Sequence, residues 1–230
     1  MTRDLSKLET ILGVSFKNKD LLEQALVHRS YLNENPAFPY GNNERLEFLG
    51  DAVLELVVTE YLYDQYENPE GDLTNWRASL VNTKMLADVS RGLSVNDFLR
   101  LSRGEAKEDQ AKARTYILAN AFESIVGALY LDQGYDVVRA YLHRVLLPRL
   151  PHILEHELYR DPKSTFQEVS QEKVGVTPNY KVLGETGPDH AKIFTIGIYL
   201  GDEIVAKGVG ASKQEAEEAA ARAALKEKTW

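Results

Sequence analysis

Glu44, Glu47 and Asp51 stand at i, i+3 and i+7 within residues 42–53, NNERLEFLGDAV. That spacing sets three carboxylates on one side of a helix, and Glu55 continues the line. Like charges so arranged repel, and something must offset them. A solvated face neutralised by Arg45, Arg77 or Arg114 is one answer. A metal ion is the other. Asn120 and Glu123, in ILANAFESIVGAL at residues 117–129, offer oxygen ligands from a distant helix, and Gly127 and Ala128 are small enough to let two helices approach closely. Carboxylates converging from two antiparallel helices suit Mg²⁺, which takes oxygen ligands in near-octahedral geometry and keeps several waters. A metal so held can generate a hydroxide nucleophile and stabilise charge on a phosphoryl group. Leu46, Phe48, Leu49 and Val53 flank the acids, so the segment reads as a packed core helix whose acidic side lies close to the body.

The elements that must carry these residues are helical. Leu21, Leu22, Ala25 and Leu26 recur at helical spacing, as do Leu46, Leu49, Val53, Leu56 and Val57, and again Ile117, Ala121, Ser124, Ile125 and Ala128. Leu80, Met85, Leu86 and Val89 suggest another helix, and Val137 to Leu146 a late one. Breaks fall at residues 35–43, at 68–72, near Gly92 and at Gly134. Residues 1–150 therefore read as an all-α domain. Pro148 and Pro151 interrupt the pattern and Asp161-Pro162 mark a second boundary, which places a linker at 151–160. Residues 161–230 have a different register: a short helix at 163–173, strands at 180–183, 192–200 and 203–209, and a final helix capped by Ser212 and running to about residue 228. That helix is expected to bury Ala216, Ala219, Ala220, Ala223 and Leu225. The order α-β-β-β-α makes a small α+β module with helices on one sheet face.

Composition narrows the class. There is no cysteine among the 230 residues, which excludes disulfides and thiolate metal sites and points to a cytoplasmic protein. The start, MTRDLSKLETIL, carries charges where a signal peptide needs an apolar run, and no stretch is long and apolar enough to span a membrane. The formal net charge is -8. Residues 161–230 hold 9 Lys/Arg against 11 Asp/Glu and residues 1–160 hold 18 against 24, so neither part is basic. Any nucleic-acid surface must be a local basic patch on an acidic body, helped by divalent metal where carboxylates cluster.

NERLEFLGDAVL resembles the signature of the ribonuclease III family. AKARTYILANAFESIVGALYLDQG at 111–134 resembles that family's second active-site segment, and LEQALVHRSY at 22–31 and EGDLTNWRASLVN at 70–82 also fit. The C-terminal module resembles a double-stranded RNA-binding domain. The resemblance covers nearly the whole chain. It implies a homodimeric, Mg²⁺-dependent endoribonuclease, with Mn²⁺ able to replace Mg²⁺, that cuts double-stranded RNA to 5′-phosphate and 3′-hydroxyl ends in ribosomal RNA and messenger RNA processing. By the same resemblance Glu47, Glu123 and the residue at 120 are metal ligands, and Asp51 is the acid that binds or orients the metal-bound water. Glu44 matches a position tied to dimer and substrate contacts. Phe48 matches an aromatic that packs across the dimer, and Glu70, in an exposed EGD turn, an acid that approaches the partner's active region.

Asn120 departs from the pattern, where the family has Asp. An amide can ligate through its oxygen but brings no charge. Three readings stay open: a substitution made to trap substrate, a natural feature of a weakly active RNA-binding homologue, or an active enzyme in which neighbouring acids compensate. In the C-terminal module the resemblance assigns RNA contacts to Thr165, Gln167 and Glu168 on the first helix. It assigns others to Pro188, Asp189 and His190 in the first strand-to-strand loop, and to Ser212 and Lys213 at the start of the last helix. Amide groups and the helix dipole favour phosphate at that helix start. The string SKQEAEEAA holds a single lysine there, which implies modest affinity.

Overall fold

A computed structural model describes residues 4–107, 111–188 and 192–230. The chain divides into two compact units, Met1–Tyr159 and Arg160–Trp230. The first is built from α1 (Ser6–Leu12), α2 (Lys19–Ala25), α3 (Arg29–Glu34), α4 (Glu44–Gln65), α5 (Glu70–Val81), α6 (Thr83–Gly92), α7 (Arg103–Lys107), α8 (Ala111–Gln133), α9 (Tyr135–Val145) and α10 (Leu150–Glu155). α4 and α8 form the central pair. α8 is apolar nearly all round from Ile117 to Leu129, and an all-round apolar helix has to be enclosed. It meets Leu46, Leu54, Val57, Val58 and Leu62 of α4 in one core, with α6 and α2 on its other sides. Each fully buried Leu, Ile or Val there contributes about 1.5–3 kcal/mol.

Polar punctuation sets the ends of these helices. Asn18 caps α2, its side chain accepting from the Asp20 amide at 3.1 Å. Asn82 accepts from the Met85 amide at 2.9 Å and takes an extended backbone, ψ 156°. Leu80 and Met85, expected in one helix, therefore fall in two, because a capping asparagine outcompetes continuation. Glu70, expected in a turn, is the first residue of α5. Pro69 stands just ahead of it as N-cap, and Glu70 and Asp72 favour the positive end of that helix.

The expected linker at 151–160 differs most. Pro148 and Pro151 sit at helix starts, where a missing N–H is harmless, and α10 follows. Leu150 and Ile153 are buried in the first unit's core, and the Tyr159 ring meets Trp76 edge-on at 6.0 Å. A short apolar pair set around Pro151 reads as an interruption in the sequence, yet it folds as a helix.

The second unit runs α11 (Pro162–Val174), β1 (Asn179–Thr186), β2 (Ile193–Leu200), β3 (Glu203–Gly210) and α12 (Lys213–Lys228). The three strands form an antiparallel sheet in the order β1-β2-β3, with a bulge between Val182 and Gly184. Phe166, Ile198, Ala220, Ala221 and Ala224 make its core, and Trp230 stacks on Phe166 at 5.5 Å. A Cβ on Gly208 would sit 2.1 Å from the Ala220 nitrogen, so glycine is what lets α12 lie directly on β3. The buried stripe of α12 is Ala216, Ala220, Ala221 and Ala224. Ala219, Ala223 and Leu225 are only partly covered, because the sheet meets a face of the helix rotated from the expected one toward Ala221 and Ala224. Among the described residues no helix is long and apolar enough to cross a membrane.

Candidate active site and RNA-binding surface

The carboxylates are brought together by two glycines. A Cβ built on Gly50 would lie 1.8 Å from the Glu123 carbonyl oxygen, and one on Gly127 would lie 2.2 Å from the Leu46 carbonyl oxygen. The α4 and α8 backbones therefore touch. The pairs 46/127 and 50/123 run in opposite senses, so the helices are antiparallel. Glu47 and Asp51 flank Gly50 along α4, and Asn120 and Glu123 precede Gly127 along α8. Ser124 ties the crossing: its hydroxyl reaches the Asn43 carbonyl at 3.2 Å and the Asn120 carbonyl at 2.7 Å. Asn43 is itself buried. Its amide donates to the Val27 carbonyl at 2.9 Å, and Val27 is bridged to Arg100, whose guanidinium pairs with buried Glu23. Thus the segment LEQALVHRSY supports the start of α4 from beneath.

At the crossing Asp51 is exposed, whereas Glu47, Asn120 and Glu123 are half-buried. Burial, then the charges of Asp51 and Glu47, push the Glu123 carboxyl up to about 8. Burial also raises Glu47, reinforced by Glu44 and Asp51 and opposed by a hydrogen bond from the Asn120 side chain. Two of the three expected neutralising arginines are engaged elsewhere. Arg77 donates to the Thr59 hydroxyl at 3.0 Å and Arg114 to the Glu105 carbonyl at 2.7 Å. Arg29 stands 3.8 Å from Glu44, at the outer end of the acidic line. Among the described residues no Lys or Arg pairs with Glu47, Asp51 or Glu123. The donor set is all oxygen and its charge is uncompensated, which suits a hard divalent cation. Three carboxylate oxygens of this set do not come within 4.8 Å of one another, a closeness that only His152, Glu155 and His156 reach among the described residues. An open arrangement is compatible with Mg²⁺, which binds through one or two carboxylates and retains water.

The shifted carboxyl gives a pH dependence whose sign is fixed. Unfolded Glu123 ionises near 4.5, whereas the folded group holds its proton to about 8. The native state therefore binds more protons in between, and stability falls as pH rises through that window. Thermal unfolding in a chelator should show this loss, and Glu123→Gln should flatten it. An unchanged slope in that variant would assign the dependence to other groups.

Phe48 is not a core residue. It is 82% exposed, and Leu56 and Tyr63 are also exposed along α4. Apolar side chains flank the signature on both helix faces, so the sequence pattern does not tell inside from outside. Between the end of α4 and α5 lies a groove of about 700 Å³ lined by Thr59, Leu62, Tyr63, Tyr66, Leu73 and Arg77, with Glu70 at its edge. The sequence reading missed Gly50, Asn43 and Ser124. Gly50 carried a usable signal, a glycine amid helix-formers opposite Gly127.

In the second unit Gln167 and Glu168 are exposed on α11, while Thr165 is half-buried and donates its hydroxyl to the Asp161 carbonyl at 2.9 Å. Ser212 caps α12, its hydroxyl accepting from the Glu215 amide at 3.2 Å. Exposed Lys213 holds its ammonium 5.7 Å over the Phe194 ring. Nearby Lys163 is paired with Glu217. Pro188 is exposed, and Asp189 and His190 lie outside the described residues.

Residues 18–150 match a family model described as ribonuclease-III-like, and residues 162–228 match the double-stranded RNA binding motif. The chain is 41% identical over 227 residues to Ribonuclease 3 of Dehalococcoides mccartyi, covering 97% of this chain and 94% of that one. It is 44% identical over 222 residues to Ribonuclease 3 of Pelotomaculum thermopropionicum, covering 96% and 92%. Among solved structures, a nuclease domain of ribonuclease III from Campylobacter jejuni, described as having a flexible region involved in dimer formation, superposes with a TM-score of 0.57 at 39% identity, covering 64% of this chain and 99% of that one. With a helical unit and an α-β-β-β-α unit in that order, and full-length relatives of the same build, the chain belongs to the bacterial ribonuclease III family, a nuclease domain followed by a C-terminal double-stranded RNA-binding domain.

Proposed function

We propose that this protein is a homodimeric, Mg²⁺-dependent endoribonuclease that cuts double-stranded RNA to 5′-phosphate and 3′-hydroxyl ends, in the maturation of ribosomal RNA precursors and messages. The observation that carries the reading is the α4/α8 crossing, where acids of both signature segments share one uncompensated site. Glu47, Asn120 and Glu123 would hold the metal, with Mn²⁺ able to replace Mg²⁺. The bound ion supplies an activated water and charge stabilisation at the phosphoryl group. Asp51, exposed beside the ligands, orients the attacking water and accepts its hydrogen bond. Asn120 donates to Glu47 and so favours its ionised, ligating form. Gln167, Glu168, His190, Ser212 and Lys213 of the second unit, with Thr165, are the RNA contacts that accord with its family. A cytoplasmic setting accords with the absence of cysteine.

Assembly follows from the exposed face of α4. A ring 82% exposed on a helix, with a groove on the same chain that offers Leu62, Tyr63, Tyr66 and Leu73 among polar side chains, suits an isologous contact in which each copy seats Phe48 in the other's groove, with Glu44 and Glu70 at the margin. Two-fold symmetry makes the contact twice, once per subunit, at about 1.5–3 kcal/mol per ring. Phe48→Glu should therefore convert the dimer to monomer in sedimentation at micromolar concentration, and should depress Mg²⁺-dependent cutting of a perfect RNA duplex. A dimer of unchanged affinity would remove Phe48 from the interface. No Mg²⁺-dependent cutting by the parent would favour a second reading, a dimer that binds duplex RNA without efficient cleavage, for which the missing charge at Asn120 is the specific observation.

A further inference from the structure

His152, Glu155 and His156 lie at the end of α10, away from the two signature helices in sequence. One ligand atom from each lies within 4.8 Å of the others, and all three side chains are exposed. The imidazoles are at i and i+4 with ring centroids 4.2 Å apart. His156 Nδ1 is 3.0 Å from the His152 carbonyl oxygen and 4.0 Å from the Glu155 carboxylate, contacts that hold the ring over the last turn. The backbone below is anchored: Leu150 and Ile153 of the same turn are 0% and 1% exposed. Side chains presented from a fixed backbone form a better-defined site than those on a mobile loop.

We propose that His152, Glu155 and His156 form a second metal site, for Zn²⁺ or another divalent ion that prefers imidazole. Two nitrogens, one carboxylate oxygen and a water complete the four-coordinate shell that Zn²⁺ favours. With bonds of about 2.0–2.1 Å, tetrahedral ligands stand about 3.4 Å apart. Closing from 4.8 Å or less to that spacing requires only rotation of exposed side chains. Mg²⁺ is a poor competitor, since it takes oxygen ligands and sheds water reluctantly. The carboxylates at the α4/α8 crossing have the opposite preference, so the two sites are separable by ion. Bound metal staples His152 to His156 across the end of α10, three residues before the boundary between the units at Tyr159 and Arg160.

The test is a calorimetric Zn²⁺ titration of the full chain, prepared without a histidine tag and held in excess Mg²⁺ to fill the carboxylate site. One Zn²⁺ per chain should bind. His152→Ala and His156→Ala should each weaken that binding at least about tenfold, or about 1.4 kcal/mol. Glu123→Gln should leave it intact, and this separates the proposal from the carboxylate chemistry. Circular dichroism checks that the variants, altered at exposed positions, retain the parent fold. Zn²⁺ bound with parental affinity by the double variant His152→Ala/His156→Ala would overturn the site, as would a parent chain that binds no Zn²⁺ under these conditions.

Discussion

Gly50→Ala should cost about 3 kcal/mol or more and abolish catalysis, a larger effect than an added methyl would have at a glycine with open space around it. Overpacking a core ordinarily costs about 1–3 kcal/mol because neighbouring side chains rotate away. Here the added carbon would lie 1.8 Å from a backbone carbonyl, and the next contacts are also backbone, Glu123 C at 2.6 Å and Gly127 N at 2.8 Å. Main-chain atoms inside two long helices cannot step aside, so α4 and α8 must separate. Separation opens the core at Leu46 and Val53 and parts Glu47 and Asp51 from Glu123. Gly127→Ala should behave similarly, with its nearest contact the Leu46 carbonyl at 2.2 Å. Gly71 supplies the control. It lies in α5 with nothing within 4 Å, and Gly71→Ala should be neutral or stabilise by up to about 1 kcal/mol. Denaturant midpoints for the three variants check this. A Gly50→Ala midpoint matching the control would mean that the helices do not touch there.

The largest effects on rate belong to the pair on α8. Glu123→Gln should reduce cleavage to background, because it strips the only acid that α8 contributes to the crossing. Its fold should survive, since a carboxyl that holds its proton to about 8 is neutral below that pH, and the amide that replaces it is neutral and has the same shape. Asn120→Asp should act the other way and raise cleavage by at least about tenfold at limiting Mg²⁺, which needs only about 1.4 kcal/mol off the barrier or its equivalent in metal occupancy. The same substitution removes the hydrogen bond that Asn120 gives Glu47 and sets another carboxylate beside Glu47, Asp51 and Glu123. Without metal that charge is unfavourable, so the Asn120→Asp chain should depend more steeply on Mg²⁺ than the parent. Duplex affinity should change little in either variant, because neither residue lies in the unit at 160–230.

Much of this arrangement was legible in the residues, and the reasons for the gaps are physical. Periodicity located α4, α8 and α9, since each long helix repeats its apolar positions for several turns. Ser212 announced α12 because a serine ahead of an Ala/Glu run has one favoured use, and here it caps. Apart from α2, whose apolar residues recur at helical spacing, the shortest helices were not legible. α1, α3 and α10 span two turns or fewer, and their stability comes from tertiary contacts such as Ile153 in the core rather than from their own pattern. Periodicity alone left Phe48 open. An aromatic beside Leu46 and Leu49 has the composition of a core residue, the family resemblance set it at a dimer contact, and the geometry of α4 turns the ring outward. Spacing placed Glu44, Glu47 and Asp51 on one face, and pairing that face with Asn120 and Glu123 took a second segment 70 residues on. The backbone contact at Gly50 and Gly127 is what realises it, and Gly50 alone could have signalled the register of the crossing.

The central claim is that the oxygen donors at the α4/α8 crossing hold the divalent ion that drives RNA cleavage. The most direct measurement is a Mg²⁺ titration of single-turnover cleavage of one RNA duplex by the parent, Asn120→Asp and Glu123→Gln chains, with duplex affinity measured alongside. The account predicts Asn120→Asp fastest at limiting Mg²⁺, the parent slower and closing the gap as Mg²⁺ rises, and Glu123→Gln at background throughout, with all three binding the duplex alike. Parental cleavage by Glu123→Gln across the titration would contradict it.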